Sequence, residues 1–157
     1  MHKLYFGYGF DTHRKKEGNG IHLGGVFIQC DYSVEAHSDG DVLCHAIIDA
    51  ILSATGQEDI GTLFSDTDPQ YKNARSLEML RKVWNGLVNQ FIIEKIDFTI
   101  VMDYPILKDY SDKIKNELMT VFGKIEKSKI SIKGKRTEGV AFIGGITALG
   151  MVVLCRQ

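Results

Sequence analysis

A chain of 157 residues, 44% hydrophobic and 25% charged, is long enough to bury one core and too short to invite two, so one domain spanning 1–157 is expected. The formal net charge is −1 and the longest basic stretch is Lys133-Gly-Lys-Arg136, which excludes the footprint of a nucleic-acid binder and leaves room for a small anionic ligand. No apolar run reaches the roughly 20 residues of a membrane span or resembles a signal segment, and Cys30, Cys44 and Cys155 are odd in number, so a cytoplasmic protein with reduced, packed thiols is expected.

Leu4 to Phe10 alternates aromatics with Gly7 and Gly9, predicting a strand that lets another backbone come close and that ends by delivering Asp11 and His13. Arg14 to Gly20 is charged and contains glycine, hence a turn. Ile21 to Ile28 reads as a hairpin about Gly24-Gly25, with His22 as an exposed strand residue. Ser38 or Asp39 then caps a helix of about residues 40–55 that Gly56 closes. Leu43, Ala46, Ile47, Ala50, Ile51 and Ala54 form its core face, while Asp41, His45 and Asp49 recur along another side and need partners.

Residues 58–69 are dense in Asp and broken by Gly and Pro, predicting a long loop, either functional or a solvated acidic connector. Apolar positions 77, 80, 83, 84, 87 and 88 predict a second helix from Ser76 to about Phe91. Ile96 to Met102 reads as a half-buried strand turning at Tyr104-Pro105, and a third helix runs from about Tyr110 to Phe122. Ser128 to Lys133 alternates as a strand, and Thr147 to Leu154 is apolar enough for a fully buried closing strand. Three helices among strands without strict alternation predict an α+β fold, a mixed β-sheet backed by helices on one face.

At i and i+2 on an extended segment, Asp11 and His13 point the same way, and with His45 they make an Asp/His/His set. Such a set suits zinc, since three protein ligands leave a fourth position for water or substrate, the pattern of a catalytic site. Taken alone, Asp-x-His is short, and a helical histidine is more often a hydrogen-bonded surface or core residue than a metal ligand.

The chain resembles the 2-C-methyl-D-erythritol 2,4-cyclodiphosphate synthase family of non-mevalonate isoprenoid biosynthesis. The likeness runs through Gly9-Phe-Asp-Thr-His13, Leu23-Gly-Gly-Val26, Ala36 to Val42 and on to His45, Asp59-Ile-Gly61 to Phe64, Asp66-Thr-Asp-Pro69, and Thr137-Glu138 with Phe142. It implies a homotrimer with active sites between adjacent subunits, and one Zn²⁺ per subunit on Asp11, His13 and His45. It also implies a Mg²⁺ or Mn²⁺ ion carried by substrate phosphates with help from Glu138. The implied substrate is a cytidine diphosphate derivative of methylerythritol whose 2-phosphate attacks the β-phosphorus, releasing CMP and leaving a cyclic diphosphate.

By the same resemblance His37 stabilises the transition state, aided by Ser38 at what reads as a helix N-terminus, where amides favour an anion. Asp59, Ile60, Gly61, Phe64, Ser65, Asp66, Thr67 and Asp68 are implied to hold the methylerythritol hydroxyls, for which carboxylate acceptors are suited, and Phe142 to bind substrate with them. Met102, Asp103, Tyr104, Pro105, Ile106, Leu107 and Lys108, with Lys135, Arg136, Thr137 and Glu138, hold the nucleotide. The chemistry suits this residue set, because the nucleophile belongs to the substrate and no activated Ser or Cys is legible.

Several positions depart from the family. Lys135-Arg-Thr-Glu138 stands where Thr-Thr-Thr-Glu is usual, so Arg136 occupies a place expected to hold a threonine that contacts the transition state, and Arg136 is read as catalytic. The glycine turn after Phe142 is shortened to Ile143-Gly-Gly145 and lacks its Arg, a charge that Lys135 or Arg136 is expected to replace. Ser65 replaces a common Pro and Ile106 a common Lys. Competing readings are another zinc-dependent phosphoesterase, a ligand-binding homologue with weakened catalysis, and a protein whose zinc is structural.

Overall fold

The computed structural model describes residues 3–65, 67–123 and 125–157. In chain order the elements are β1 (Leu4–Glu17), β2 (Gly20–Leu23), β3 (Val26–Gln29), β4 (Tyr32–Val34), α1 (Val42–Ala54), α2 (Ile60–Leu63), α3 (Ser76–Asn85), β5 (Phe91–Val101), α4 (Ser111–Phe122), β6 (Ile130–Lys135) and β7 (Gly145–Arg156). The main sheet runs β4-β1-β7-β5-β6, antiparallel throughout except for the β5/β6 pair, and β2 and β3 form a separate hairpin. The expected α+β architecture with a mixed sheet is thus present, with a second small sheet that the sequence reading places as a hairpin and not as a separate layer.

Strand alternation sorts β1 into two faces. Leu4, Phe6, Tyr8 and Phe10 lie on one, all exposed, while Gly7 and Gly9 lie on the other beneath α1. The approach is close enough that a methyl group on Gly9 would stand 1.8 Å from the Ala46 carbonyl oxygen, and one on Gly7 would stand 1.8 Å from that of Ala50. Ala46, Ala50 and Ala54 recur every four residues, one small side chain per helical turn. That rise of about 6 Å nearly matches two strand residues at about 6.7 Å, so helix and strand stay in step. His45, the neighbour of Ala46 in α1, is thereby brought within 3.1 Å of Asp11 and 3.2 Å of His13. Burial of Leu43, Ile47, Ile48, Ile51 and Leu52, each at 0–1% exposure, then fixes the helix in place.

Several element boundaries differ from the sequence expectation. β1 does not stop at His13; it continues to Glu17 because β4 pairs with Lys15, Lys16 and Glu17, so the predicted turn shrinks to the residues just before Gly20. Helix α1 begins at Val42, and its N-cap is Asp41, not Ser38 or Asp39. Asp41 is wholly buried and accepts from Cys44 N at 3.0 Å, Gly24 N at 2.8 Å and Gly25 N at 2.7 Å. The two glycine amides come from the β2–β3 turn, a contact no local pattern announces.

Helix α3 ends at Asn85, six residues early, because Phe91 pairs with Arg156 and starts β5. The apolar residues Leu87 and Val88 extend the helical period by chance of composition, and Leu87 is buried in the turn between the two elements. The acidic loop contains the short helix α2, capped by Asp59, which accepts from Thr62 N. The central strand β7 is not buried throughout: on the face away from the helices Thr147 and Cys155 are buried, but Leu149 and Val153 are half-buried and Met151 is exposed. His22 is half-buried, packed against Phe27 with the rings tilted and their centroids 5.2 Å apart, where an exposed strand position is expected. All three cysteines are buried and unpaired, as expected.

Candidate metal centre and its cavity

Asp11 and His13 project from β1 toward α1, and His45 descends from the first turn of that helix. Asp11 Oδ2 stands 3.1 Å from His13 Nε2 and 3.1 Å from His45 Nδ1, and the two imidazole nitrogens are 3.2 Å apart. Three ligand atoms therefore form a nearly equilateral triangle. A tetrahedral ion with bonds of about 2.0 Å sets its ligand atoms roughly 3.3 Å apart, so one carboxylate oxygen and two imidazoles at this spacing fit zinc. Among the described residues this is the one cluster of metal-ligating side chains.

The electrostatics of the triangle agree with its geometry. Burial pushes the Asp11 carboxyl up, but hydrogen bonds and charge from His13 and His45 outweigh it and hold the group well below the usual carboxylate range. For His45, burial disfavours the imidazolium, yet the hydrogen bond and charge of Asp11 raise its pKa above the ordinary value. A cation is thus stabilised at this point of the fold, be it a proton or a metal.

The third member of the polar line, Asp49, accepts from Ile60 N at 2.8 Å and so ties α1 to α2. Ile60, Gly61 and Phe64 are thereby held over the metal donors, and with His37 and Ser38 they line a cavity of about 290 Å³ containing Asp11, His13 and His45. Ala36, the first residue of the motif running to Val42, completes its wall with Glu35, Tyr71 and Met79, three residues that the sequence does not mark as site residues. Met79 carries a helix-face signal only, and Tyr71 lies in the loop before α3, where no periodicity marks it. His37 and Ser38 are in the loop before α1, not in its first turn, so they border the cavity through the loop's own path and not as helix-terminal residues. His37 Nε2 is 3.3 Å from the Asp68 carbonyl oxygen.

Among the described residues, the remaining acidic-loop positions do not line this cavity. Asp59 is exposed and occupied in capping α2, Ser65 Oγ and Thr67 Oγ1 bond each other at 2.8 Å, and Asp68 accepts from Gln70 N at 3.0 Å. Asp66 lies outside the described residues. Phe142 sits on the open face of the sheet, its ring 6.2 Å from that of Phe10.

A second cavity of about 310 Å³ gathers Met102, Asp103, Pro105, Ile106, Leu107 and Lys108 with Lys135 and Arg136. Ser111, Ile132 and Gly134 join its lining and were not anticipated. Asp103 accepts from Thr137 N at 2.9 Å and from Thr137 Oγ1 at 2.8 Å, which lowers the Asp103 pKa and fastens one wall to the other. Tyr104 is exposed beside a cis peptide to Pro105, and its carbonyl accepts from the Tyr32 hydroxyl. Glu138 is exposed at a turn with φ 51°.

The two cavities share no lining residue. Register places them at one end of the sheet: Asp11 pairs with Ala148, Ala148 with Ile100, and Ile100 with Gly134. Three strand spacings of about 4.8 Å put the two backbones roughly 14 Å apart.

Comparison with known proteins places this geometry. The profile of the YgbB family matches residues 4–155. A 2-C-methyl-D-erythritol 2,4-cyclodiphosphate synthase of Aquifex aeolicus is 44% identical over 156 residues, covering 99% of each chain. Among solved structures, the bifunctional IspDF of Campylobacter jejuni superposes with a TM-score of 0.92 at 35% identity, and this chain covers 43% of its length. The IspF of Plasmodium falciparum, solved as a CDP complex, superposes with a TM-score of 0.84 at 31% identity over 99% of that chain.

Proposed function

Since the chain belongs to the YgbB family, with cyclodiphosphate synthases as close relatives over its whole length, we infer that it performs their reaction in non-mevalonate isoprenoid biosynthesis. It converts 4-diphosphocytidyl-2-C-methyl-D-erythritol 2-phosphate to 2-C-methyl-D-erythritol 2,4-cyclodiphosphate and CMP, as a phosphorus–oxygen lyase. An oxygen of the 2-phosphate bonds to the β-phosphorus, the bond from that phosphorus to the oxygen bridging to the α-phosphate breaks, and CMP departs with the electron pair. No water enters. The observation that carries the reading is the convergence of Asp11, His13 and His45 at 3.1–3.2 Å beside His37 in one cavity.

When bound, Zn²⁺ on those three residues and Mg²⁺ or Mn²⁺ on the substrate phosphates with Glu138 offset the repulsion between two anionic groups and stabilise the transferring phosphoryl. The protein's own task is to position and to complement charge. His37, in the same cavity as the metal donors, can donate a hydrogen bond to a phosphate oxygen there, and the walls from α2 exclude water. Lys135 and Arg136 give the second cavity a positive edge suited to a nucleoside diphosphate, and the Met102–Lys108 turn offers backbone groups for the base. CDP in the solved complex of the Plasmodium relative supports a cytidine nucleotide as ligand.

The separation of the two cavities supports an active site completed by a second subunit, with the metal cavity of one copy facing the nucleotide cavity of its neighbour. The surface for such assembly is the open sheet face, where Phe6 is 62% and Tyr8 59% exposed beside Leu4, Phe10 and Met151. An apolar stripe of that kind favours burial between copies, and a homotrimer acting in the cytoplasm is the form we propose. Among the described residues no helix is long and apolar enough to cross a membrane.

The test is product analysis by ³¹P NMR with the substrate, Zn²⁺ and Mg²⁺ supplied. A cyclic diphosphate with stoichiometric CMP is expected. A linear phosphate would overturn the reading in favour of a metal-dependent phosphoesterase, and nucleotide binding without turnover would favour a ligand-binding homologue.

A further inference from the structure

Behind the metal donors, the far nitrogen of His45 enters a buried chain of hydrogen bonds. His45 Nε2 lies 2.8 Å from Ser76 Oγ, and the Ser76 hydroxyl donates to Asp39 Oδ1. Ser76 is wholly buried at the start of α3, and Asp39 is half-buried in the loop before α1. The other contacts of the Asp39 carboxylate are also donors, Ser76 N at 3.2 Å and Asp41 N at 3.3 Å.

These contacts have a direction. A carboxylate surrounded by donors offers only lone pairs, so the single hydroxyl hydrogen of Ser76 points to Asp39. The oxygen of Ser76 then faces His45 with lone pairs, and Nε2 must be the nitrogen that carries hydrogen. Nδ1, the atom 3.1 Å from Asp11 Oδ2, is left as the ligand atom. Ser38 Oγ, at 3.2 Å from Nε2, offers a second and longer acceptor to the same N–H.

We propose that Ser76 and Asp39 are positioning residues for the metal centre: their hydrogen-bond chain fixes the tautomer and ring plane of His45. The proposal rests on the reading that Asp11, His13 and His45 hold zinc. Outer partners of ligating histidines typically contribute 10–100-fold in metal affinity, and a chain ending in a carboxylate is a common form of them.

A plain structural role is the competing account, because Arg75, the N-cap of α3, makes no side-chain capping bond and Asp39 serves the Ser76 amide instead. Ser76→Ala separates the two. It removes the hydroxyl while retaining the amide bond to Asp39 and a side chain of nearly the same volume.

Zinc affinity would be measured by competition with a chromophoric chelator, and the His45 imidazole N–H followed by NMR in the diamagnetic zinc form. S76A is expected to weaken zinc binding about 10–100-fold and to expose the Nε2 hydrogen to fast solvent exchange, with metal-free thermal stability near wild type. Asp39→Asn, which puts a donor into the chain, is expected to weaken zinc binding at least as much. Wild-type protein that binds no stoichiometric zinc would refute the metal reading itself. Stoichiometric binding in wild type with an unchanged constant and a protected N–H in S76A would overturn this inference alone.

Discussion

Gly9→Ala tests whether the seat of α1 on β1 is what builds the metal centre. The added Cβ would stand 1.8 Å from the Ala46 carbonyl oxygen and 2.8 Å from its carbon, both backbone atoms that no rotamer change can move. An ordinary carbon–oxygen contact is about 3.3 Å, so the helix must retreat by about 1.5 Å. Overpacking of this kind costs about 3 kcal/mol, and for a chain of this size that lowers Tm by about 6–12 °C. His45 retreats with the helix. Its 3.1 Å separation from Asp11 lengthens towards about 4.5 Å, past the roughly 3.3 Å that a tetrahedral zinc sets. Zinc affinity should therefore fall at least about tenfold along with stability. Thermal unfolding followed by circular dichroism and zinc titration of the refolded protein are the assays. Gly86→Ala is the control, since its added carbon would meet only Val83 O at 3.4 Å and it should leave both readouts near wild type. A G9A protein that keeps wild-type Tm and zinc affinity would refute the claim that this close approach positions His45.

Asp41→Ala removes the cap of α1 and strands the amides of Gly24 and Gly25. At about 1 kcal/mol for the cap and about 1–3 for each of the two stranded groups, a loss of roughly 3–7 kcal/mol is expected in urea denaturation; a loss below about 1 kcal/mol would contradict the bridging role. Phe6→Asp places a charge in the open sheet face and is expected to convert the proposed trimer to monomers in analytical ultracentrifugation and to abolish CMP release, whereas a trimer that survives the change would show that this face is not the interface. Arg136→Thr removes a charge-assisted hydrogen bond of about 1.5–3 kcal/mol, so CMP release should slow about 10–100-fold, and unchanged turnover would remove Arg136 from the catalytic set. Chelation should abolish CMP release and added Zn²⁺ should restore it; activity that survives complete metal removal would exclude the metal from the chemistry.

Much of the site is legible in the chain because its ligands sit on regular elements. Asp11 and His13 share a strand face by the period of two, and His45 follows from the helical period that also defines the alanine ridge. The departures at Lys135 and Arg136 were likewise visible, and both side chains line the cavity with the Met102–Lys108 turn. Asp41 shows where such reading ends. Its residue type marks a cap, but Ser38 and Asp39 mark one equally well, and only the glycine amides of the β2–β3 turn decide among the three.

By itself the amino-acid order determines which residues are extended or helical, which faces are apolar, and that an Asp/His/His set is available. It does so because backbone periodicity and side-chain chemistry act over a few neighbouring residues. The tertiary structure alone decides that β1 runs on to Glu17, that α3 stops at Asn85, and that Ser76 and Asp39 stand behind His45. Those outcomes depend on pairing partners and buried hydrogen bonds between segments 15 to 65 positions apart, where the free energy of closing a contact belongs to both segments at once and is written in neither.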